Sequence, residues 1–593
     1  MRRLQLLAAV LVVCISLFYS VPRIIATVSA DRAFTIAGGA IAHRAIAHDV
    51  SPALSTLARD LGPDPFQDYD VDRPSTVLSP SRDADVVDKP APRAVPVIRS
   101  PPGSAAVEQT TQGAQAPAEL VASFDGLGVG FDGPQGSAML RNPSDNTLAV
   151  GPNHIIEIVN SRMAIFTKKG RQFDTTGKVL YGAVPTNSVF KGFGGPCEMR
   201  NNGDAVVRYD QLADRWLIVM PIFSRSPATA GAPPPPKAGQ PSRGRGQPRA
   251  PQQTGAYAMC YALSTSPDPF GSYYRYEFIR RLFPDYPRPA VWPDGYYLPT
   301  STGDEVLQKH ACVVERAKML QGKDAAEQCV IVDDVNFLNN ADLDGKTLPP
   351  QGAANIVLAG GGTQLRGEME DDGIYAWNFH VDWNDPAKTS LTGPSKIAVA
   401  PYHYLCDGQL TNCVPQPGTK RRLDAQGDKL MARVVYRRIG GREMVVAVHS
   451  VNTNLGAGGV RWYELSVEKN RALSLRQQGT YAPDSSFRWM ASPAIDKFGN
   501  IGIGYSFGGS PRFAGQRFAA RLADDPLGVL SLREAVLVDG EGAQTNTLRW
   551  EDYSQTAVDP SDDCTIWYVG DYYKKGAPSY STRIGAFRMP QCR

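Results

Sequence analysis

The chain has 593 residues, with 62 Lys and Arg against 59 Asp and Glu and a formal charge of +3, so near-neutral a balance that it gives no case for a nucleic-acid partner. It has nine cysteines but no CxxC pair and no HExxH, which removes the usual signals of a zinc site and a zinc protease. His154, His310, His380, His403 and His449 are scattered, without the paired spacing of a metal site or a charge-relay triad.

Residues 1–30 read as an export signal: Arg2 and Arg3, an apolar run over 4–21, then Val28-Ser29-Ala30 with small residues where signal peptidase needs them. The alternative is an uncleaved anchor, because the run is almost long enough to span a bilayer, and only then is a membrane a partner. Either way the bulk of the chain is expected to be secreted, periplasmic or at the cell surface. Cys14 follows Val13, where a lipoprotein signal would want a small residue, so lipidation is not expected.

Residues 31–118 are rich in Ala, Pro, Ser, Asp and Arg. Such a composition buries too little apolar surface to offset the entropy of ordering, and it predicts a disordered stalk. One short helix is expected over 51–58, where Ser51 can cap, Pro52 suits the first turn, and Leu54 and Leu57 are spaced for one face.

From 119 to 593 the chain becomes a series of glycine-punctuated strands and reads as one all-β domain. The final stretch shows the unit most completely. Thr556-Ala557-Val558 is a short apolar strand, 559–563 is a turn, 565–569 is a β-branched and aromatic strand, and 583–589 alternates across two faces. The strand, turn, strand figure recurs at 148–159, 289–298 and 493–505, and more loosely at 205–220 and 430–451. A further strand pair is expected around 373–383. Repeats of this kind predict a β-propeller, in which each blade buries its faces against its neighbours. Seven blades fit the length best, with six or eight as alternatives.

Two insertions stand out. Residues 224–254 carry five basic and no acidic residues among prolines and glycines and read as a solvated loop rather than an arm for an acidic polymer. Residues 316–322 read as a short helix stopped by Gly322.

Without Cys14, eight cysteines remain: Cys197, Cys260, Cys312, Cys329, Cys406, Cys413, Cys564 and Cys592. An even count in an exported chain argues for disulfides. Nearest-in-sequence pairing joins 197 to 260, 312 to 329, 406 to 413 and 564 to 592.

Many stretches together resemble a family of exported bacterial proteins of unknown function, expected to be disulfide-containing β-propellers. They include FDGLGVGFDGPQG (124–136), AVGPNHIIEIVN (149–160), VVRYDQLADRWLI (206–218), FPDYPRPAVWPDGYY (283–297), QGTYAPDSSFRWM (478–490), DKFGNIGIGYS (496–506) and RWEDYSQTAVDPSDDCTIWY (549–568). The resemblance implies fold, export and disulfides, and brings no catalytic residues. Glu551 departs from it, standing where the family usually has Gly.

Propellers host enzymes and binding modules alike, so chemistry must come from particular residues. Arg-Trp occurs at Arg215-Trp216, Arg461-Trp462, Arg488-Trp489 and Arg549-Trp550. These pairs could grip acidic sugars and stack on them, or could serve as repeated packing contacts in which Arg bonds a turn carbonyl. Glycoside hydrolysis needs two facing carboxyls, for which Glu198, Asp294, Asp372, Glu464 and Glu551 are candidates. Asp559, Asp562 and Asp563 offer hard oxygen ligands for calcium, although the same residues also make a good type I turn. The expectation is an exported binding or adhesion module with a carbohydrate or protein ligand, taken by Arg215, Trp216, Asp294, Arg488, Trp489, Arg549, Trp550 and Glu551. No catalytic residue and no cofactor is assigned, apart from calcium as an option. The alternative is a sialidase-like or other glycan-active hydrolase.

Overall fold

The structure is a computed structural model, and it describes residues 40–60, 99–137, 142–223, 257–280, 282–300, 308–365, 369–408 and 412–592. The export signal and the insertion at 224–254 lie outside the described residues. Among the described residues no helix is long and apolar enough to cross a membrane.

Antiparallel four-strand meanders follow one another along the chain. The first runs Thr147–Val150, His154–Val159, Arg162–Thr167 and Val179–Pro185. The second begins with Val206–Asp210 and Arg215–Ile222 and ends with Tyr273–Arg280. The third runs from Ala290–Val291 to Ala326–Val332, and the fourth from Asn339–Leu343 to Ser390–Ile397. The fifth starts at Val434–Ile439 and ends at Leu473–Tyr481; the sixth spans Phe487–Ile495 to Leu532–Val538. The fourth and fifth are joined because Asn339–Leu343 pairs in parallel with Val434–Ile439.

The last unit needs both ends of the chain. Gln555–Val558, Ile566–Tyr572 and Ser581–Arg588 are completed by Glu119–Gly128, which pairs antiparallel with Ser581–Arg588. The first strand of each unit packs against the first strands of the units before and after it, and the seventh unit's packs against the first unit's. Most strands bury both faces, as sheets stacked face to face require. Some of these faces approach so closely that only glycine fits. A Cβ on Gly151 would meet the Trp216 ring of the second unit at 2.4 Å, and one on Gly504 would meet Tyr568 of the seventh at 2.3 Å.

All four expected disulfides are present, joining Cys197 to Cys260, Cys312 to Cys329, Cys406 to Cys413 and Cys564 to Cys592. They fit an extracellular or otherwise oxidising environment. The helix expected over 51–58 appears as Leu54–Asp60, and that expected at 316–322 as Arg316–Met319, followed by Gly322 at φ 65.

Two expectations need correction. The stalk assigned to 31–118 is in part built into the fold. Ile41–Arg44 adds to the outer strand of the third unit and Ala47–Val50 to that of the second, held by Arg44 on Asp324 (2.7 Å) and Arg275 on Asp49 (2.6 Å). Further on, Glu108–Gln109 pairs in parallel with Thr480 and Tyr481 of the fifth unit, and Gln115 bridges to Leu532 of the sixth. Backbone pairing of this kind can order a polar segment that has little apolar surface to bury. The second correction concerns 373–383, which supplies one strand, Ile374–His380, paired with Ser390–Ile397. The leading hairpin of the fourth unit is Asn339–Leu343 with Asn355–Gly360.

Candidate functional site

Each unit places a non-glycine residue in the left-handed backbone region near its first strand: Asp145, Asp204, Tyr286, Asp334, Gln426 and Asp552 precede it and Met490 lies inside Phe487–Ile495, with φ between 44° and 64°. Four of the seven are Asp, whose short side chain tolerates that region better than most. Glu551, beside Asp552, is also left-handed at φ 58, a conformation that glycine adopts without strain.

These leading ends bring acids together. Asp204 interacts electrostatically with Asp145 and Asp285, and Asp552 adds its charge to both Asp145 and Asp204. Burial and this mutual repulsion hold Asp145 and Asp204 well above the usual carboxylate range. Asn160 Nδ2 donates to Asp145 Oδ2 (2.6 Å), whereas the buried Oδ1 has no hydrogen-bond partner. Arg549 pairs with Asp552 and lies 3.3 Å from Asp424. Tyr286 and Tyr553 pack edge to face at 5.0 Å, and Tyr286 donates to the Asp552 carbonyl (3.1 Å). Arg288 stacks over Tyr286 at 4.5 Å, and Lys429 lies over Phe337 at 4.3 Å while bonding Asp428 (2.6 Å). A segment stapled by Cys406–Cys413 covers this end, with Asp424 N donating to Leu548 O and Gln416 exchanging two hydrogen bonds with Gln544.

A further layer of buried acids lies behind. Glu551 accepts from Ser506 (2.7 Å) and Gln516 (2.8 Å), and Asp571 from Ser144 (2.7 Å) and Asn146 (2.8 Å). Glu157 accepts from the Leu127 amide and the Thr582 hydroxyl, both at 2.7 Å, and burial pushes its carboxyl up to about 8.

The residues singled out from sequence have mostly separate structural roles. Trp216, Trp489 and Trp550 are fully buried in the core. Arg215 donates to the carbonyls of Ala213 and Asp214, the turn contact expected of a packing arginine. Arg488 is clamped between Asp484 (2.9 Å) and Glu534 (2.7 Å) and stacks over Phe507. Asp294 accepts from Tyr297, and burial moves it up to about 6. Glu198 takes the amides of Gly192 and Gly194, Asp372 those of Thr363 and Tyr402, and Glu464 pairs with Arg476. Of the candidates, only Arg549, Trp550 and Glu551 adjoin the acidic end.

Asp559, Asp562 and Asp563 do not converge. Asp559 accepts from Lys168 (2.6 Å) and Trp567 (3.0 Å), Asp562 takes the amides of Cys564 and Thr565, and Asp563 pairs with Arg437. The sequence reading missed Asp145, Asp204, Asp285, Asp552 and Tyr553. A signal was present, however: Asp285-Tyr286 stands ahead of Ala290-Val291 at the same spacing as Asp552-Tyr553 ahead of Ala557-Val558.

An open groove of about 380 Å³ lies elsewhere, where residues 106–109 meet 476–478 and 527–529. Its walls carry Glu108, Gln109, Arg476 and Gln478 beside Val107, Leu527 and Val529. The outer edge of Leu473–Tyr481 has a strand partner only at Thr480 and Tyr481 among the described residues.

Among solved structures the chain is similar to a protein of unknown function from Dyadobacter fermentans, at 9% identity over 80% of this chain and 100% of that one, TM-score 0.30. An ulvan lyase from a polysaccharide lyase family shows 9% identity over 83% and 96%, TM-score 0.33. The subtype N10 neuraminidase-like protein of A/little yellow-shouldered bat/Guatemala/060/2010 shows 8% identity over 69% and 100%, TM-score 0.31. No family model matches the sequence, and no curated protein matches it.

Proposed function

We propose that the protein is an exported, disulfide-stapled, seven-bladed β-propeller that acts as a binding module at the cell surface or in the periplasm. Its ligand is a carbohydrate or a protein segment lying extended in the groove beside residues 476–478. The succession of first-strand contacts that returns from the seventh unit to the first supports the blade count, and the charged-then-apolar leader supports export.

The groove is the observation that carries the binding role. It combines a concave, open shape, a partly exposed guanidinium at Arg476 and a strand edge with backbone groups to offer. The test is to export the full chain through an oxidising compartment and incubate it with a panel of acidic and neutral polysaccharides and with extended peptides, following depletion of the protein and release of reducing ends. Depletion that weakens at least tenfold in Arg476→Ala supports the groove. Depletion unchanged in that variant removes the groove from the reading.

A glycan-active hydrolase is the second reading, favoured by the interacting carboxyls of Asp145 and Asp204 and by the unpartnered Tyr553 hydroxyl. It predicts reducing-end release that disappears in Asp204→Asn.

A further inference from the structure

A strand at the edge of a sheet presents backbone donors and acceptors that another chain can pair with, so folds cover such edges or guard them with proline and lysine. Both devices are present here. Ala47–Val50 covers the outer strand of the second unit and Ile41–Arg44 that of the third, while the outer strand of the fourth, Ser390–Ile397, carries Pro394 and Lys396. In the fifth unit Glu108–Gln109 covers Thr480 and Tyr481, and the residues before it, Ser104–Val107, leave the edge as a tight helical turn. Residues 473–478 therefore have no strand on their outer side among the described residues, and they include neither proline nor lysine. The open groove of about 380 Å³ runs past this edge at 476–478.

The polar groups of the groove are unequally engaged. Its acid, Glu108, accepts from the amide and the Nδ2 (2.8 Å) of Asn454. Gln477 is used at both ends, donating to Glu464 and accepting from the Gly528 amide (2.9 Å). Arg476 meets Glu464 through Nε at 3.0 Å, and its side chain stays 31% exposed, so the guanidinium keeps donors for a ligand. Gln478 accepts the Ala400 amide at Oε1 (3.0 Å), which leaves Nε2 as a second donor. Leu527, from the sixth unit, adds an exposed apolar surface. None of the lining residues is aromatic, so a sugar ring would find no flat apolar face to stack on. We infer that the groove takes an extended acidic peptide segment, which adds as a strand along 473–478, sets a carboxylate against Arg476 and Gln478, and rests an apolar side chain on Leu527. This rests on the reading of the groove as the binding site and narrows its ligand to protein.

The test uses the full chain, exported through an oxidising compartment, and a fluorescently labelled hexapeptide of alternating valine and glutamate, followed by anisotropy. Two further probes replace glutamate by lysine or carry N-methyl groups on the backbone amides, which removes the donors that strand addition needs while keeping the side chains. The glutamate peptide is expected to bind saturably, and each of the other two to bind weaker by about tenfold or more, the loss of a charge-assisted contact or of ladder hydrogen bonds. Arg476→Ala is expected to weaken the glutamate peptide by about the same factor. Leu527→Asp, at an exposed position that the fold does not depend on, is expected to weaken it likewise by adding a like charge to the groove, and it decides the matter if Arg476→Ala does not fold. The inference is overturned if the N-methylated peptide binds as well as its parent, or if Leu527→Asp leaves binding unchanged. It is also overturned if no peptide binds while depletion by a polysaccharide depends on Arg476, a result that keeps the groove as the site. Absence of both signals removes the groove reading together with it.

Discussion

The same first strands carry two charge clusters of opposite character. In the channel between them, Arg433 bonds Asp342 (2.9 Å) and Asp344, and Arg208 lies 3.4 Å from Asp342 while donating to the Pro289 carbonyl and to Gln555. These acids and bases are buried and matched, and the cavity they leave is only about 20 Å³. At the leading ends of these strands, acids face acids. A matched buried network fixes how sheets meet, whereas an unmatched one stores repulsion that something else must neutralise. Chemistry is therefore expected at the unmatched end, and structural rigidity in the channel.

Arg433→Met is expected to give the largest effect. It strands Asp344 in the interior and leaves Asp342 with Arg208 alone, and a loss of about 3–5 kcal/mol is expected in denaturant unfolding. A loss below about 1 kcal/mol would show that the channel network is not what locks the sheets.

Glu157 sharpens the contrast through pH. Its folded-state value of about 8 lies above the ordinary 4.5, so the folded state holds the proton more tightly than the unfolded state. Stability from this group is complete below about pH 4.5 and is lost as the pH rises through about 8. Glu157→Gln is expected to flatten the fall in Tm across that window by an amount equivalent to a few kcal/mol at its alkaline end. A fall of unchanged steepness would assign it to other groups.

The smallest effect on stability is expected at the groove. Arg476 is partly exposed, and its buried partner Glu464 keeps Gln477 as a donor and Arg521 at 3.9 Å when Arg476 is removed. Arg476→Ala is expected to cost about 1–3 kcal/mol, less than the loss at Arg433, and retention of the folded state at the binding temperature lets a loss of ligand binding be read as a loss of contact rather than of fold.

Much of the architecture was legible because hydrophobic alternation and turn residues are local signals. The hairpins at 148–159 and 493–505 and all four disulfide pairs follow from neighbours in sequence. The segment 41–50 was not, because it docks through backbone hydrogen bonds to the outer strands of two units, and such bonds leave little mark on composition. The acidic end escaped for a different reason. Asp145, Asp204, Asp285 and Asp552 lie in different repeats, and only the fold brings them together, whereas Asp559, Asp562 and Asp563 are adjacent in sequence yet turn toward different partners. Adjacent acids suggested a site that the turn geometry disperses, and dispersed acids make the cluster that is observed.

The contrast between matched and unmatched charge is tested most directly by denaturant unfolding of Asp204→Asn beside Arg433→Met. The account predicts that the first holds or gains stability, because a repulsion is relieved, while the second loses about 3–5 kcal/mol. Comparable losses in both would contradict it.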